Sequence, residues 1–420
     1  MIREPKVYDV EPPVPRRRST VLDTFRFRDF RLLWGGLLIS NLGTWMQFTT
    51  LGYVVVTLAG TPRLAALDVG ILGACNAVPA LIFSPLAGVV ADRYPRRRTL
   101  LLTNTAISCV ALALALLATA GKLRLWEIFI LSSCRAAVQS FDSPARQSWV
   151  PLLVPRQFVG NAIGLNSLAF NAPSVVGPPV AGFLIIATGI AASFYVNAVA
   201  TLAVVAALLL MRPAPPSAAR PERVLALIAG GLRFLWGHAA LRSILIVLIA
   251  SCLFVRPYSQ LLPAYAVHVL HADARGLGVL FAAVGFGAIC GSVVTALLGA
   301  HRRAGVWFGS AAVMSLGTIA LSFVHVFALA ICVLVAVGLA VMSFAGSSNV
   351  LIQTLSPDEM RGRAISVFTM VILGLVPLGS LLLGTFATFV GLQAALAAGG
   401  AVSFLLSVVV FASNAELRRV

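Results

Sequence analysis

Apolar stretches of some twenty residues recur along the whole chain, beginning with 32–59, 69–91 and 100–120 and continuing to residue 412. Each is closed by Arg, Pro, Gly or Asp. A bilayer hydrocarbon core about 30 Å thick takes roughly 20 apolar residues per helix. One such run can be hidden in a soluble core, but a dozen cannot. Hydrophobic residues make up 59% of the 420 and charged ones only 11%, with a mean hydropathy of +0.96, so the surface facing outward must itself be lipid-compatible.

The runs predict membrane helices over 31–58, 66–91, 99–120, 125–142, 161–188, 191–211, 241–264, 276–300, 305–323, 326–350, 364–388 and 391–412. The fold class is therefore all-α integral membrane, with twelve spans. Residues 1–30, rich in Pro and Arg, are expected to form a disordered basic tail, and 413–420 a second short tail. No apolar signal-peptide core precedes the first span.

Net charge is +17, carried by 29 Arg and 2 Lys. With twelve spans both termini lie on one side, and 25 of the 31 basic residues fall on that side. Only Arg63, Lys122, Arg124 and Arg275 fall opposite, while Arg135 and Arg256 lie within spans. The positive-inside rule then puts both termini in the cytoplasm of a bacterial inner membrane. Charge distributed between alternate loops is a topology signal, which excludes nucleic acid as the partner. The bilayer itself is the partner.

The longest connection, 212–240, divides the spans six and six. Leu225, Ile228, Leu232 and Leu235 recur in it at helical spacing, as in an interfacial helix. A gapless offset of 202 residues superposes Leu153 on Leu355, Pro155 on Pro357, Gly160 on Gly362, Gly177 on Gly379 and Gly182 on Gly384. The halves 31–211 and 241–412 thus read as a parallel repeat. Such transporters bind substrate near midplane, between the halves.

Three motifs carry mechanism. Gly88-Val89-Val90-Ala91-Asp92-Arg93-Tyr94-Pro95-Arg96-Arg97-Arg98 sets an acid among arginines at the end of span 2, a knot that can be made in one state and broken in another. Gly177-Pro178-Pro179-Val180-Ala181-Gly182 places a bend and small residues in span 5, where another helix can approach. Arg135, in span 4, is costly in a bilayer unless it faces a cavity, and Gln139 and Asp142 follow it on the same helix face. The bland readings are topology anchoring, a kinked packing helix and a structural Arg. Further cavity candidates are Asn41, Trp45 and Phe48 in span 1, Asn171 and Ser174 in span 5, Arg256 in span 7, and Ser343 and Ser347 in span 10. Interhelical hydrogen bonding is the plainer role of each polar one.

The first motif resembles the span 2–3 loop of the major facilitator superfamily. Ala91-Asp92-Arg93-Tyr94, Asp142-Ser143-Pro144-Ala145-Arg146-Gln147, Gly231-Leu232-Arg233-Phe234-Leu235 and the segment from Gln353 to Arg363 resemble its enterobactin-exporter-like branch, the transmembrane secretion effectors. The resemblance implies a monomeric secondary transporter. It implies that Asp92, Arg93 and Arg97 lock an outward-facing state, and that the Gly177 motif, similar to the antiporter motif, accompanies export. It also ties Arg135 to proton coupling, although no acid lies mid-span; Asp142, partnered by Arg135 or Arg146, is the nearest candidate. The expected activity is export of a small organic molecule, such as a siderophore-like metabolite, a drug or an aromatic compound, either in exchange for protons or without ion coupling. An importer on the same fold and a non-transporting membrane sensor are the alternatives. No nucleotide-binding loop, catalytic triad or metal cluster occurs in the sequence, so neither cofactor nor enzymatic activity is expected.

Overall fold

A computed structural model describes residues 21–212, 224–297 and 303–414, apart from the side chains of 21, 85, 88, 89, 91–93, 148, 224–228 and 303. The first six helices are α1 (Arg28–Leu58), α2 (Pro62–Arg93), α3 (Arg96–Thr119), α4 (Leu125–Trp149), α5 (Val159–Thr188) and α6 (Ile190–Leu210). A shorter helix, α7 (Val224–Gly237), leads into the second half. There α8 (Ala239–Ala250) and α9 (Tyr258–His268) form one crossing, joined through a π-helical turn at Ser251–Val255. It is followed by α10 (Ala274–Leu297), α11 (Arg303–Phe323), α12 (Phe327–Leu355), α13 (Asp358–Val390) and α14 (Leu392–Ser413).

Among the described residues twelve crossings result, six in each half. Ten are long and apolar enough to span a membrane on composition alone; the other two are α1 and α4, diluted by their own polar residues. Loops end the helices where the sequence provides stops. Gly189 and Gly391 take positive φ angles of 90° and 89° after α5 and α13, a conformation open to Gly at no steric cost.

The three largest differences from the sequence expectation are these. Helix α4 continues past Asp142 and through Pro144 to Trp149, because Asp142 and Arg146 pair across one turn and buried Trp149 anchors its end. Helix α13 starts at Asp358 rather than residue 364. Asp358 and Glu359 occupy its first turn, where acids suit the helix dipole. Residues 21–30 belong to the folded body instead of the tail. Phe25 meets Trp34 edge-on at 4.9 Å, and Phe27 meets Phe158 at 5.3 Å. Residues 1–20 and 415–420 lie outside the described residues, as do the side chains of Leu225 and Ile228. The rest of α7 packs on the start of α13: a Cβ at Gly231 would sit 2.6 Å from the Arg363 carbonyl oxygen.

The 202-residue repeat reappears as paired contacts between the halves. A methyl group on Gly278 of α10 would lie 2.6 Å from the Pro178 carbonyl oxygen of α5. One on Gly70 of α2 would lie 2.7 Å from the carbonyl oxygen of Ser380, the residue that repeats Pro178. Gly182 meets the carbonyl of Ala274, while its repeat mate Gly384 meets that of Ala66. Two equivalent clasps, α5 on α10 and α13 on α2, therefore close the end of the bundle away from the chain termini. In lipid, helices associate by close van der Waals contact and weak Cα–H hydrogen bonds, both of which need small residues. Nearer the termini the same helices present exposed Leu86, Leu168, Phe286, Val293 and Leu373.

Candidate functional site

Between the halves lie two cavities that share Phe48 of α1 as a wall. The first, about 210 Å³, is polar on the side of the N-terminal half. Arg135 enters it from α4, Asn76 from α2, Gln47 from α1 and Gln260 from α9. The second, about 240 Å³, is more aromatic. Trp45, Phe281 and Tyr258 line it, together with Asn171, Ser174, Ser259 and Arg256.

Arg135 is held by one named partner. Its guanidinium donates to Asn76 Oδ1 at 3.2 Å, and the Asn76 amide is itself oriented by donating to the Leu72 carbonyl at 2.7 Å. The Arg135 Nε is buried with no acceptor. Arg256 follows the π-helical turn, and one of its terminal nitrogens is likewise buried with no acceptor. Among the described residues, neither guanidinium has a carboxylate within salt-bridge distance. The sequence named Arg256 as a cavity candidate, and the structure places it in the lining of the second cavity, in the middle of the 239–268 crossing.

The π-helical turn has a local cause. Pro257 cannot donate to the Leu253 carbonyl, and the Arg256 N–H reaches back to Ser251 at 2.8 Å rather than to Cys252. Two carbonyls are thus released from the helix ladder. Gly379 of α13 packs on both, its Cβ position lying 2.5 Å from the Leu253 oxygen and 2.8 Å from that of Cys252.

Asp142 lies away from both cavities. Only 2% of its surface is exposed, and its Oδ1 accepts from Asn104 Nδ2 at 2.7 Å and from Thr103 Oγ1 at 3.1 Å. Its Oδ2 takes Gln139 at 3.3 Å and the Arg146 guanidinium at 3.5 Å, while Arg146 stacks on Phe170 at 4.4 Å. Of the two partners the sequence offers, the structure gives it Arg146. The Arg135-Gln139-Asp142 stripe is therefore split: Arg135 serves the cavity, and the other two serve a buried ion-pair network joining α3, α4 and α5.

Other sequence candidates separate in the same way. Asn41 donates to the Ala169 carbonyl at 3.0 Å, the acceptor that Pro173 leaves unused four residues later, so it pins α1 to the bend in α5. Ser343 donates to the Gly291 carbonyl at 3.2 Å, and Ser347 is buried; both sit between helices rather than facing a cavity. Trp45, Phe48, Asn171, Ser174 and Arg256 do line the cavities. Gly177 abuts Trp45, with its Cβ position 2.8 Å from that of Trp45. Pro178, Ala181 and Gly182 form the α5 face of the clasp, Ala181 being fully buried. Arg97 donates to the carbonyls of Leu208 and Leu209 at 2.8 and 2.9 Å and so caps the end of α6. Gly88, Asp92 and Arg93 lie in the last turns of α2, and the contacts expected of them fall outside the described side chains. Sequence reasoning missed Asn76, Gln47 and Gln260. Their signal is present, since each is an amide within an apolar run.

Residues 19–420 match a family described as transmembrane secretion effector. The chain belongs to that family. It is a multi-pass membrane transporter of the major facilitator type. The multidrug efflux pump Tap of Mycolicibacterium fortuitum is 28% identical over 359 residues, covering 82% of this chain and 87% of that protein. The enterobactin exporter EntS of Shigella boydii is 26% identical, covering 80% of each chain. Among solved structures, a mutant of the nucleoside transporter NupG superposes with a TM-score of 0.71 at 14% identity, over 91% of this chain and 98% of that one. That likeness bears on the fold. The family supplies the setting in which a cavity between two six-helix halves has a transport role.

Proposed function

We propose that this protein exports a small organic molecule from the cytoplasm by alternating access, with Arg135 binding an anionic group of the substrate. The observation that carries the proposal is a cavity lined from both halves in which Arg135 has no acid to neutralise it. A guanidinium at membrane depth costs at least about 2.5 kcal/mol on insertion scales, and substrate is the natural counter-charge. Direction follows from the family description and from relatives named as efflux pump and exporter. A siderophore-like metabolite, a drug or an aromatic compound fits the aromatic walls.

With both termini cytoplasmic, as the arginine distribution requires, the clasped end is periplasmic and the state described opens inward. The protein acts as a monomer, since both halves of the site come from one chain. Coupling is read as direct exchange of a charged substrate at Arg135. Asp142 is the weaker candidate, because its two oxygens already accept from four groups and lie away from both cavities.

Uptake of labelled organic compounds into inverted vesicles tests this, with and without a proton gradient. Gradient-driven uptake by the wild type, lost in Arg135→Ala and kept in Asp142→Asn after correction for protein amount, is the expected result. Export from inverted vesicles with no inward uptake would reverse the direction. Equal uptake by Arg135→Ala would remove Arg135 from the site.

A further inference from the structure

We infer that the substrate is a dianion whose two acidic groups bind Arg135 and Arg256, one in each half of the protein, with a ring-containing body lying across Phe48. The inference rests on the transport reading of the preceding section and names its substrate class.

Three observations point the same way. Each cavity holds one guanidinium with an unsatisfied buried N–H, and neither guanidinium has a carboxylate partner among the described residues. A buried N–H donor without an acceptor is costly, and a charged one more so, which makes an incoming anion the group that completes both sites. The volumes suit two ring-sized ends, since a cavity of about 150 Å³ already holds a benzene molecule. Finally, the partition between the cavities is aromatic. Phe48 stands edge-on to Trp45 at 5.5 Å and to Phe281 of the other half at 5.7 Å, a wall against which a flat body can stack.

The two arginines come from different halves, Arg135 from α4 and Arg256 from the end of the π-helical turn, just before α9. A monoanion satisfies one half only. A dianion ties the halves together and neutralises both charges before they rock about the substrate. Arg256 is thus a specificity-determining residue equal in weight to Arg135.

The test uses the full-length protein in lipid nanodiscs and three probes: naphthalene-2,6-dicarboxylate, its monomethyl ester and its dimethyl ester. Calorimetric titration should show the dianion binding about tenfold or more tighter than the monoester, as expected for one extra charge-assisted contact. Arg135→Gln and Arg256→Gln should each reduce the dianion to the affinity of the monoester. Ser259→Asp keeps Arg256 in place but puts a resident carboxylate beside it, and it should also abolish the preference. This second route covers the case in which a Gln variant fails to fold. Equal affinity for dianion and monoester, an unchanged dianion affinity in Arg256→Gln or Ser259→Asp, or no binding of the dianion by the wild type would each overturn the inference. Uptake of the three probes into inverted vesicles separates the two proposals. Transport without a dianion preference sinks this inference and leaves export standing. Tight dianion binding with no transport of any probe does the reverse.

Discussion

Replacing Gly182 by Ala should open the clasped end of the transporter. The added methyl group would overlap the Ala274 carbonyl oxygen and lie 3.0 Å from both the Ala274 carbonyl carbon and Arg275 Cα. Carbon atoms pack best at about 3.5–4.0 Å. All three obstacles are backbone atoms of α10, so no rotamer change relieves them, and α5 and α10 must separate on the order of half an ångström or more. Overpacking of this kind costs about 1–3 kcal/mol. Only the state with the clasp closed bears that cost. On the alternating-access reading proposed above, α5 and α10 move apart at this end in the alternate state. The equilibrium between the two should therefore shift toward the open clasp by roughly 5- to 150-fold. Spin labels at Arg63 on α2 and Val390 on α13, both exposed, report the separation of the halves at this end by pulsed electron–electron resonance. Gly164→Ala, on the same helix but with nothing within 4 Å of its Cβ position, is the control and should leave the distances unchanged. A wild-type distance distribution in Gly182→Ala, with or without a fall in thermal stability, would refute the view that the clasp is sensed by one state only.

Asp142→Asn keeps the side-chain shape but leaves the Arg146 charge unpaired where only 7% of that residue is exposed. A loss of about 3 kcal/mol is expected in thermal unfolding, largely recovered by adding Arg146→Met. Asn41→Leu should cost about 1–3 kcal/mol by orphaning the Ala169 carbonyl, and adding Pro173→Ala should recover most of it, because α5 then supplies its own donor. A double-mutant cycle on melting temperature measures that coupling. Gly73→Ala should disturb substrate affinity more than folding, since its Cβ position collides with Gln260 Oε1 and Ser380 Oγ, flexible side-chain ends that can yield, beside the first cavity. Binding of the dicarboxylate probe, compared with the melting temperature, separates the two effects.

The architecture could be read from sequence because a bilayer imposes its constraints residue by residue. Hydropathy runs, arginine-rich loops and a gapless 202-residue repeat each reflect a physical requirement with a linear signature. Residues 21–30 were misjudged because aromatic contacts order them, and the two helix boundaries failed where polar partners extend a helix beyond the membrane. The predicted span ended at residue 142, and the Asp142–Arg146 pair carries α4 on through Pro144. The first turn of α13 contains no apolar run but has the acids that suit a helix start.

The site was less legible, for a reason that Arg135 and Asp142 illustrate. They are seven residues apart on one helix, and helical spacing put them on one stripe. Which neighbour each meets depends on α2 and α3, elements that spacing along α4 says nothing about. Asn76 reaches Arg135, while Thr103 and Asn104 saturate Asp142. The consequence concerns chemistry as well as placement. An acid saturated by donors within one half has little to gain from a change at the interface between halves, whereas an arginine left incomplete at that interface has much to gain from a ligand. On the reading proposed above, a chain with so few acids in its spans, and with an incomplete arginine in each half, is organised around a negative charge brought by what it carries.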